Sequence, residues 1–240
     1  MIRGFYASLS GLLTAVRRTE VIADNIANAN TSGFKASRAT AAATGFEVVR
    51  STDGAVVGAM PTGAYATGPY ISFGQGPLEL TGRPTDIAIE GDGFFAVSRD
   101  GVTSYTRAGA FSIGADGRIV APDGALLIDE QGQPITVTGG TISFEPDGTV
   151  TGTAQRIALV TPLAGAEVTR LGGTRFAFAA DPGRAGGAIR SGFLEMSGTD
   201  LAREFTELMA DQASYGLNAR ALSLQDETIA DLRSIGRLRG

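Results

Sequence analysis

In the stretch LAREFTELMADQASYGLNARALSLQDETIADLRSI, residues 201–235, Leu201, Leu208, Tyr215, Leu222 and Ile229 recur every seventh residue without a gap. A sevenfold apolar repeat marks a long helix with one narrow apolar seam. A companion stripe is weaker, with Phe205 and Ala219 but also Gln212 and Asp226. Ser197 and Asp200 have capping-box spacing, so the helix is expected to start near Ser197–Asp200 and to run to about Ile235, on the order of 50 Å. Gly216 costs such a helix roughly 1 kcal/mol relative to Ala, which points to a close approach at that position.

The opposite end of the chain carries a matching signal. Ile2, Phe5, Leu9, Leu12, Val16, Ala23 and Ile26 fall on alternating three- and four-residue spacing, interrupted only by Thr19. This predicts a helix from about Phe5 to Ala29, on the order of 37 Å long. It ends in Asn28-Ala29-Asn30-Thr31-Ser32-Gly33, residues that cap and turn, with Gly33 suited to a left-handed C-terminal position. Residues 1–35 carry two net positive charges and residues 197–240 two net negative ones, which suits helices that pack together. Narrow seams need partners, and the nearest are each other or copies of the same chain.

Composition removes most enzyme chemistry. The 240 residues include no Cys and no His and carry a net charge of -5. The usual zinc ligands, a thiol nucleophile and a Ser-His-Asp triad are therefore missing, and stability must come from packing rather than disulfides. An acidic chain is a poor match for nucleic acid. No apolar run approaches the roughly 20 residues of a membrane span, and the first residues lack a signal-peptide layout.

Between the ends the pattern changes twice. Ala36 to about Tyr70 is rich in Ala, Thr and Gly without a clear period and reads as an extended or partly disordered connector. Beyond it, Asp92-Gly93, Asp100-Gly101, Asp116-Gly117, Asp123-Gly124 and Asp147-Gly148 are turn dipeptides among short β-branched and aromatic runs. Strands are expected at 86–89, 94–98, 103–107, 110–113, 119–121, 126–128, 135–137, 141–144, 156–160 and 174–178, in an antiparallel sandwich or barrel-like domain.

The candidate sites are mostly explained by structure. Glu90 with Asp92 and Glu145 with Asp147 could form a glycosidase pair, but both Asp residues precede Gly and read as turn residues. Gly91-Asp92-Gly93 is followed by Phe94-Phe95 and no helix, so it is no phosphate loop; one Phe ring is expected in the core and the other against a neighbour. Asn28 and Asn30 read as helix terminators. Asn25 lies inside the helix, where Asn is a mediocre former, and its amide can fix the register of a helix contact.

Ile22-Ala23-Asp24-Asn25-Ile26-Ala27-Asn28-Ala29-Asn30-Thr31-Ser32-Gly33-Phe34-Lys35 resembles the N-terminal signature of the bacterial flagellar rod and hook proteins, with Asp24 in place of an Asn. Asp86-Ile87-Ala88-Ile89-Glu90-Gly91-Asp92-Gly93-Phe94-Phe95, followed by Tyr105-Thr106-Arg107-Ala108-Gly109-Ala110-Phe111, is similar to the β-domain motif of that family. Gly192-Phe193-Leu194-Glu195-Met196-Ser197 resembles its C-terminal signature, with Ser197-Gly198-Thr199 where many members have Ser-Asn-Val and Ala213 for a frequent Arg. The resemblance implies a non-enzymatic axial subunit of the flagellar basal body, without cofactor. Such a subunit leaves the cytoplasm unfolded through the flagellar export apparatus, without signal cleavage, and assembles in the cell envelope with copies of itself and other rod and hook proteins. Thr81-Gly82-Arg83-Pro84-Thr85-Asp86 resembles FlgF-type proximal rod subunits and Met1-Ile2-Arg3-Gly4-Phe5-Tyr6 FlgG-type distal ones; the first is preferred.

The expected fold is α+β: long terminal helices packed as a coiled-coil-like domain (1–35 with 197–240), an extended linker (36–70), and a central antiparallel all-β domain (71–196). The expected assembly interface comprises Ile2, Leu9, Leu12, Val16, Asn25, Ile26 and Asn28 with Leu201, Phe205, Leu208, Tyr215, Leu222 and Ile229. Thr31, Gly33, Phe34 and Lys35 form the helix-end motif, and Asp86, Gly91, Gly93, Phe94, Tyr105, Arg107, Gly109 and Phe111 the β-domain motif. The rival is a secreted β-rich carbohydrate-binding or hydrolytic module with helical arms, whose activity would survive removal of both helices.

Overall fold

The computed structural model describes residues 2–137 and 142–237, without the side chains of residues 2, 3 and 232–237. Its architecture is α+β, with one helix at each end and antiparallel β-structure between them. Contacts divide the chain into two compact units: 1–27 with 37–72 and 200–240, and 28–36 with 73–199.

In the first unit, helix α1 spans Ile2–Ala27 and helix α2 Leu201–Arg237. Helix α1 stops two residues before the expected Ala29, where the Thr31 amide bonds the Asn28 carbonyl at 3.1 Å. Helix α2 is capped by Asp200, whose Oδ1 accepts the amides of Ala202 and Arg203 at 3.1 and 3.2 Å, offsetting donors that a helix start leaves unpaired. Ser197 does not share this cap; its hydroxyl instead accepts the amide of Thr199. Gly216 faces open space rather than a close neighbour.

The stretch expected as a linker is extended but paired. Ser37–Arg38 pairs with Tyr70–Ile71, Ala41–Ala43 with Ala64–Ala66, and Phe46–Arg50 with Val56–Pro61, as three nested antiparallel pairs of one ribbon. Ribbon and helix also meet: the Ala64 amide donates to Ser10 Oγ at 3.1 Å. Toward its tip the ribbon loses cover, leaving Phe46, Val57 and Met60 exposed.

The second unit is organised around the strand Phe94–Arg99. It pairs antiparallel with Val102–Thr106 on one edge and with Leu126–Leu127 and Leu159–Thr161 on the other. The sheet continues through Arg175–Phe178 to Val168–Gly172, and at the far side through Ile119–Val120 to Ser112–Ile113. Side chains alternate across a strand, so Phe95 and Val97 enter a core with Ile87, Phe111, Leu127 and Ile157. Phe94 points the other way and meets Phe73, Phe176 and Phe178 edge-on at 5.5–5.7 Å. The two rings therefore divide as their sequence position predicts. Residues 135–137 contribute only an isolated bridge, Thr136 with Arg118. The expected 141–144 strand begins on a residue outside the described ones, and Phe144 makes a single bridge to Val150.

Candidate functional site

The two helices of the first unit meet through a face other than the one their apolar seams suggest. On α1, Ser8, Thr14, Ala15, Ile22 and Asn25 are buried, while Leu9, Leu12 and Ile26 are half-buried and Val16 is exposed. Leu9 and Gly11 differ by two positions, about 160° around a helix, and it is Gly11 that lies against α2. The α1 seam is thus offset from the face that meets Asn218 of α2, although Val16 and Ala23 still share a groove with Tyr215. The side chain of Ile2 lies outside the described residues. On α2, Leu208, Leu222 and Ile229 are half-buried, and Leu201, Phe205 and Tyr215 are exposed. Among the described residues the buried ones of α2 are Glu204 and Asp211, which lie about 40° from the seam.

Those buried carboxylates meet polar partners on α1. Arg18 Nη1 approaches Asp211 Oδ1 at 3.3 Å, and Glu204 accepts a hydrogen bond from the Asn25 side chain. Burial pushes both carboxyls above their ordinary range; Asn25 and Arg18 respectively oppose the shift. Asn25 also closes a two-way contact with the returning chain, donating to Ser37 O at 2.7 Å and accepting its amide at 2.9 Å. Its position inside a helix is thereby explained: the amide serves two neighbours at once. Asn28 is half-buried and ends the helix.

Outside this contact the seams leave apolar surface. Val16, Thr19, Glu20, Ala23, Gln212 and Tyr215 line a groove of about 490 Å³, and Tyr215 is 48% exposed.

In the second unit the helix-end and β-domain motifs converge on one buried ion cluster. Glu195 accepts from Lys35 Nζ at 2.5 Å, from Arg107 Nη1 at 3.0 Å and from the Gly76 amide at 2.9 Å. Lys35 and Glu195 are each 1% exposed. Burial lowers the Lys35 ammonium below its usual value, against the attraction of Glu195. Arg107 Nη2 continues to Gly91 O at 2.7 Å, and its guanidinium lies 5.4 Å from the Phe94 ring centre. Buried charges demand such partners.

Around this cluster the other motif residues set backbone positions. The Gly33 amide donates to Glu195 O at 2.7 Å with φ at 70°, and a Cβ there would fall 2.2 Å from the Ala108 amide nitrogen. Only glycine satisfies both demands. A Cβ on Gly109 would lie 1.6 Å from Ile87 O. Phe34 is buried beneath the Arg170 guanidinium at 4.5 Å, and the Thr31 carbonyl accepts the Phe34 amide at 3.2 Å. Asp86 is buried, and its carbonyl accepts the Gly192 amide at 2.7 Å. Gly93 packs on Ala185, Tyr105 stacks on Phe178 at 4.1 Å, and Phe111 meets Phe95 edge-on.

Of the four carboxylates weighed for hydrolysis, Glu90 and Asp147 are held in ion pairs. Glu90 binds Arg190 through two contacts, at 2.7 and 3.1 Å, and Asp147 binds Arg156. Hydrogen bonds from Thr149 and Arg156 lower the Asp147 carboxyl to about 2, the reverse of what a general acid needs. Among the described residues no group of acidic side chains could hold a metal ion, and no helix is long and apolar enough to cross a membrane. Sequence reading passed over Arg18, Glu204, Asp211 and the role of Glu195. A sevenfold polar repeat running through Glu204 and Asp211 was the available signal for the helix pair. Glu195 had none, because its partners are remote in sequence.

Comparison with known proteins matches three segments to family models: residues 5–35 to the flagella basal body rod protein, 88–152 to the flagellar hook protein FlgE/F/G D1 domain, and 190–235 to the flagellar basal body rod FlgEFG protein C-terminal region. The chain is 32% identical to the flagellar basal-body rod protein FlgG of Bacillus subtilis (strain 168), covering 99% of this chain and 100% of that protein. It is also 32% identical to FlgG of Caulobacter vibrioides, over 92% and 94% of the two chains. The flagellar basal-body rod protein FlgF of Mesorhizobium japonicum is again 32% identical, over 95% and 97%.

Proposed function

The chain belongs to the family of bacterial flagellar basal-body rod proteins, and we propose that it is a subunit that polymerises through the outward seams of its terminal helices and so transmits torque. The family is structural and not enzymatic. One observation carries the polymerisation reading: the helix pair meets through polar contacts and leaves Phe5 and Val16 of the α1 seam and Tyr215 of α2 exposed. Coiled-coil-like packing of those seams against neighbouring subunits would bury them. Heterologous contacts that do not close build helical assemblies. In this reading the assembling segments are residues 1–35 and 197–240, joined through 36–70 to the β-rich 71–196.

The proposed partners are copies of the same chain, other rod and hook proteins, and the flagellar export apparatus, through which the chain passes unfolded and without signal cleavage into the envelope. A proximal position is preferred from the FlgF-like form of Thr81–Asp86. The distal reading is favoured by the FlgG-like opening Met1–Tyr6 and by full-length similarity to FlgG of Bacillus subtilis. Electron microscopy of basal bodies from a strain lacking the gene decides between them. Structures that stop at the base of the rod support the proximal position, and structures that stop part-way support the distal one. Complete rods and hooks would overturn the axial role.

A further inference from the structure

The α2 seam cannot decide how far one helix slides along the other. Leu201, Leu208, Tyr215, Leu222 and Ile229 repeat every seven residues, so a shift of one heptad presents a similar apolar stripe. A second sevenfold repeat breaks that degeneracy. Gly4 faces Gln225, Gly11 faces Asn218, Arg18 faces Asp211 and Asn25 faces Glu204. Each step of seven along α1 is matched by a step of seven back along α2, as one antiparallel register requires.

The rungs are close-fitting as they stand. A Cβ on Gly4 would lie 2.9 Å from Gln225 Nε2, and one on Gly11 would lie 2.7 Å from Asn218 Oδ1; the two glycines make room for the two amides. Slipping by one heptad, about 10 Å, sets Asp211 against Gly11 in one direction and against Asn25 in the other. Either slip takes buried Asp211 away from Arg18, its cationic partner among the described residues, which is costly for a buried carboxylate; in the first direction Arg18 would meet Glu204 instead. The ladder is a poor source of stability, since Asp211 Oδ2 and Gln225 Oε1 are buried with no hydrogen-bond partner among the described residues. A polar layer inside a helix pair is best accounted for by specification of alignment.

We propose that this polar ladder, rather than either apolar seam, is the register-determining device of the terminal helix pair. On the rod-subunit reading, it holds the outward seams in the single alignment that a neighbouring subunit meets.

The chain has no cysteine, so nitroxide labels can be placed at Glu20→Cys and Arg220→Cys, both exposed positions, and their separation read by pulsed electron–electron resonance on the full purified chain. With the ladder intact, one narrow distance is expected. The ladderless variant, combining Arg18→Leu, Glu204→Leu, Asp211→Leu, Asn218→Ala and Gln225→Ala, should gain a second population displaced by roughly 8–10 Å, the projection of one heptad slip. The exchange Arg18→Asp with Asp211→Arg should keep the single distance. An unshifted single distance in the ladderless chain, or a broad distribution with the ladder intact, would overturn the proposal. The purified chain gives this readout whatever the deletion strain shows, so the two readings fail separately.

Discussion

Replacing Glu195 by Gln removes one negative charge from a pocket where two positive ones depend on it. The carboxylate is 1% exposed and holds Lys35 at 2.5 Å and Arg107 at 3.0 Å. Lys35 has an escape: burial already depresses its pKa, and loss of the Glu195 attraction lets it fall further, so its charge is the easier of the two to lose. Arg107 has none, because guanidinium does not deprotonate in proteins. It keeps its bond to Gly91 O at 2.7 Å but loses its counter-charge. Breaking one side of a buried pair costs about 3–5 kcal/mol, and Arg107 places Glu195→Gln in that range. Each 1.36 kcal/mol is tenfold in an equilibrium constant, so amide protection in the core strand Phe94–Arg99 should fall by roughly 10²–10⁴-fold. Hydrogen–deuterium exchange of the intact chain, read on peptides covering that strand, measures this without interference from the helices. Adding Arg107→Met should recover part of the loss, since the stranded charge goes with it. A loss of protection below tenfold, or no recovery in the double variant, would refute the reasoning.

Other expectations follow from named contacts. Glu204 faces Asn25, Arg38, Arg203 and Glu207, and Asp211 faces Arg18 and Glu207; both folded pKa values are raised, by burial first. A carboxyl raised on folding contributes stability that is fully present below its ordinary pKa of about 4 and is lost as pH rises through the raised value. Exchange protection of α1 peptides, corrected for intrinsic rates, should therefore increase as pH is lowered from neutral into the carboxylate range, and a decrease would contradict the assignment. Gly109→Ala drives a Cβ into Ile87 O at 1.6 Å; backbone contacts cannot yield as side chains do, so a fall in urea midpoint worth about 2 kcal/mol or more is expected. Leu208→Asp puts a charge on the α2 seam and should abolish rod assembly while the Phe94–Arg99 strand keeps its protection. Normal assembly by that variant would remove the seam from the interface.

The sevenfold period revealed both helices but not their mutual face. Apolar residues dominate any periodicity reading, and here the seam residues are half-buried or exposed, while glycines, amides and a few charges that read as a solvated side face one another across the helix pair. Gly216 misled for a related reason: a helical glycine announces a possible close approach, and the approaches occur at Gly4 and Gly11 instead. The Asp-Gly turns located the core strands well because turn chemistry is local. The ribbon at 37–71 was illegible, since Ala41–Ala43 and Ala64–Ala66 pair through backbone without alternating side chains. Lys35 and Arg107 were visible as motif residues, yet their shared counter-ion could not be, because ion pairing across such sequence distances leaves no local pattern.

The bonds from Gly33 N to Glu195 O and from Gly198 N to Phe34 O, at 2.7 and 3.1 Å, have a kinetic consequence. Helices α1 and α2 are separated by roughly 170 residues of chain, and closing so long a loop costs on the order of 4–5 kcal/mol in entropy. Once the β-unit folds, these two bonds pin residues 33–34 beside 195–198, and that loop is already closed. The helices then have only to zip from their adjoining roots toward their free ends. A chain that has not yet released its last forty or so residues can fold its β-unit but cannot pair its helices. The helix pair therefore completes only after the last part of the chain is free to join it.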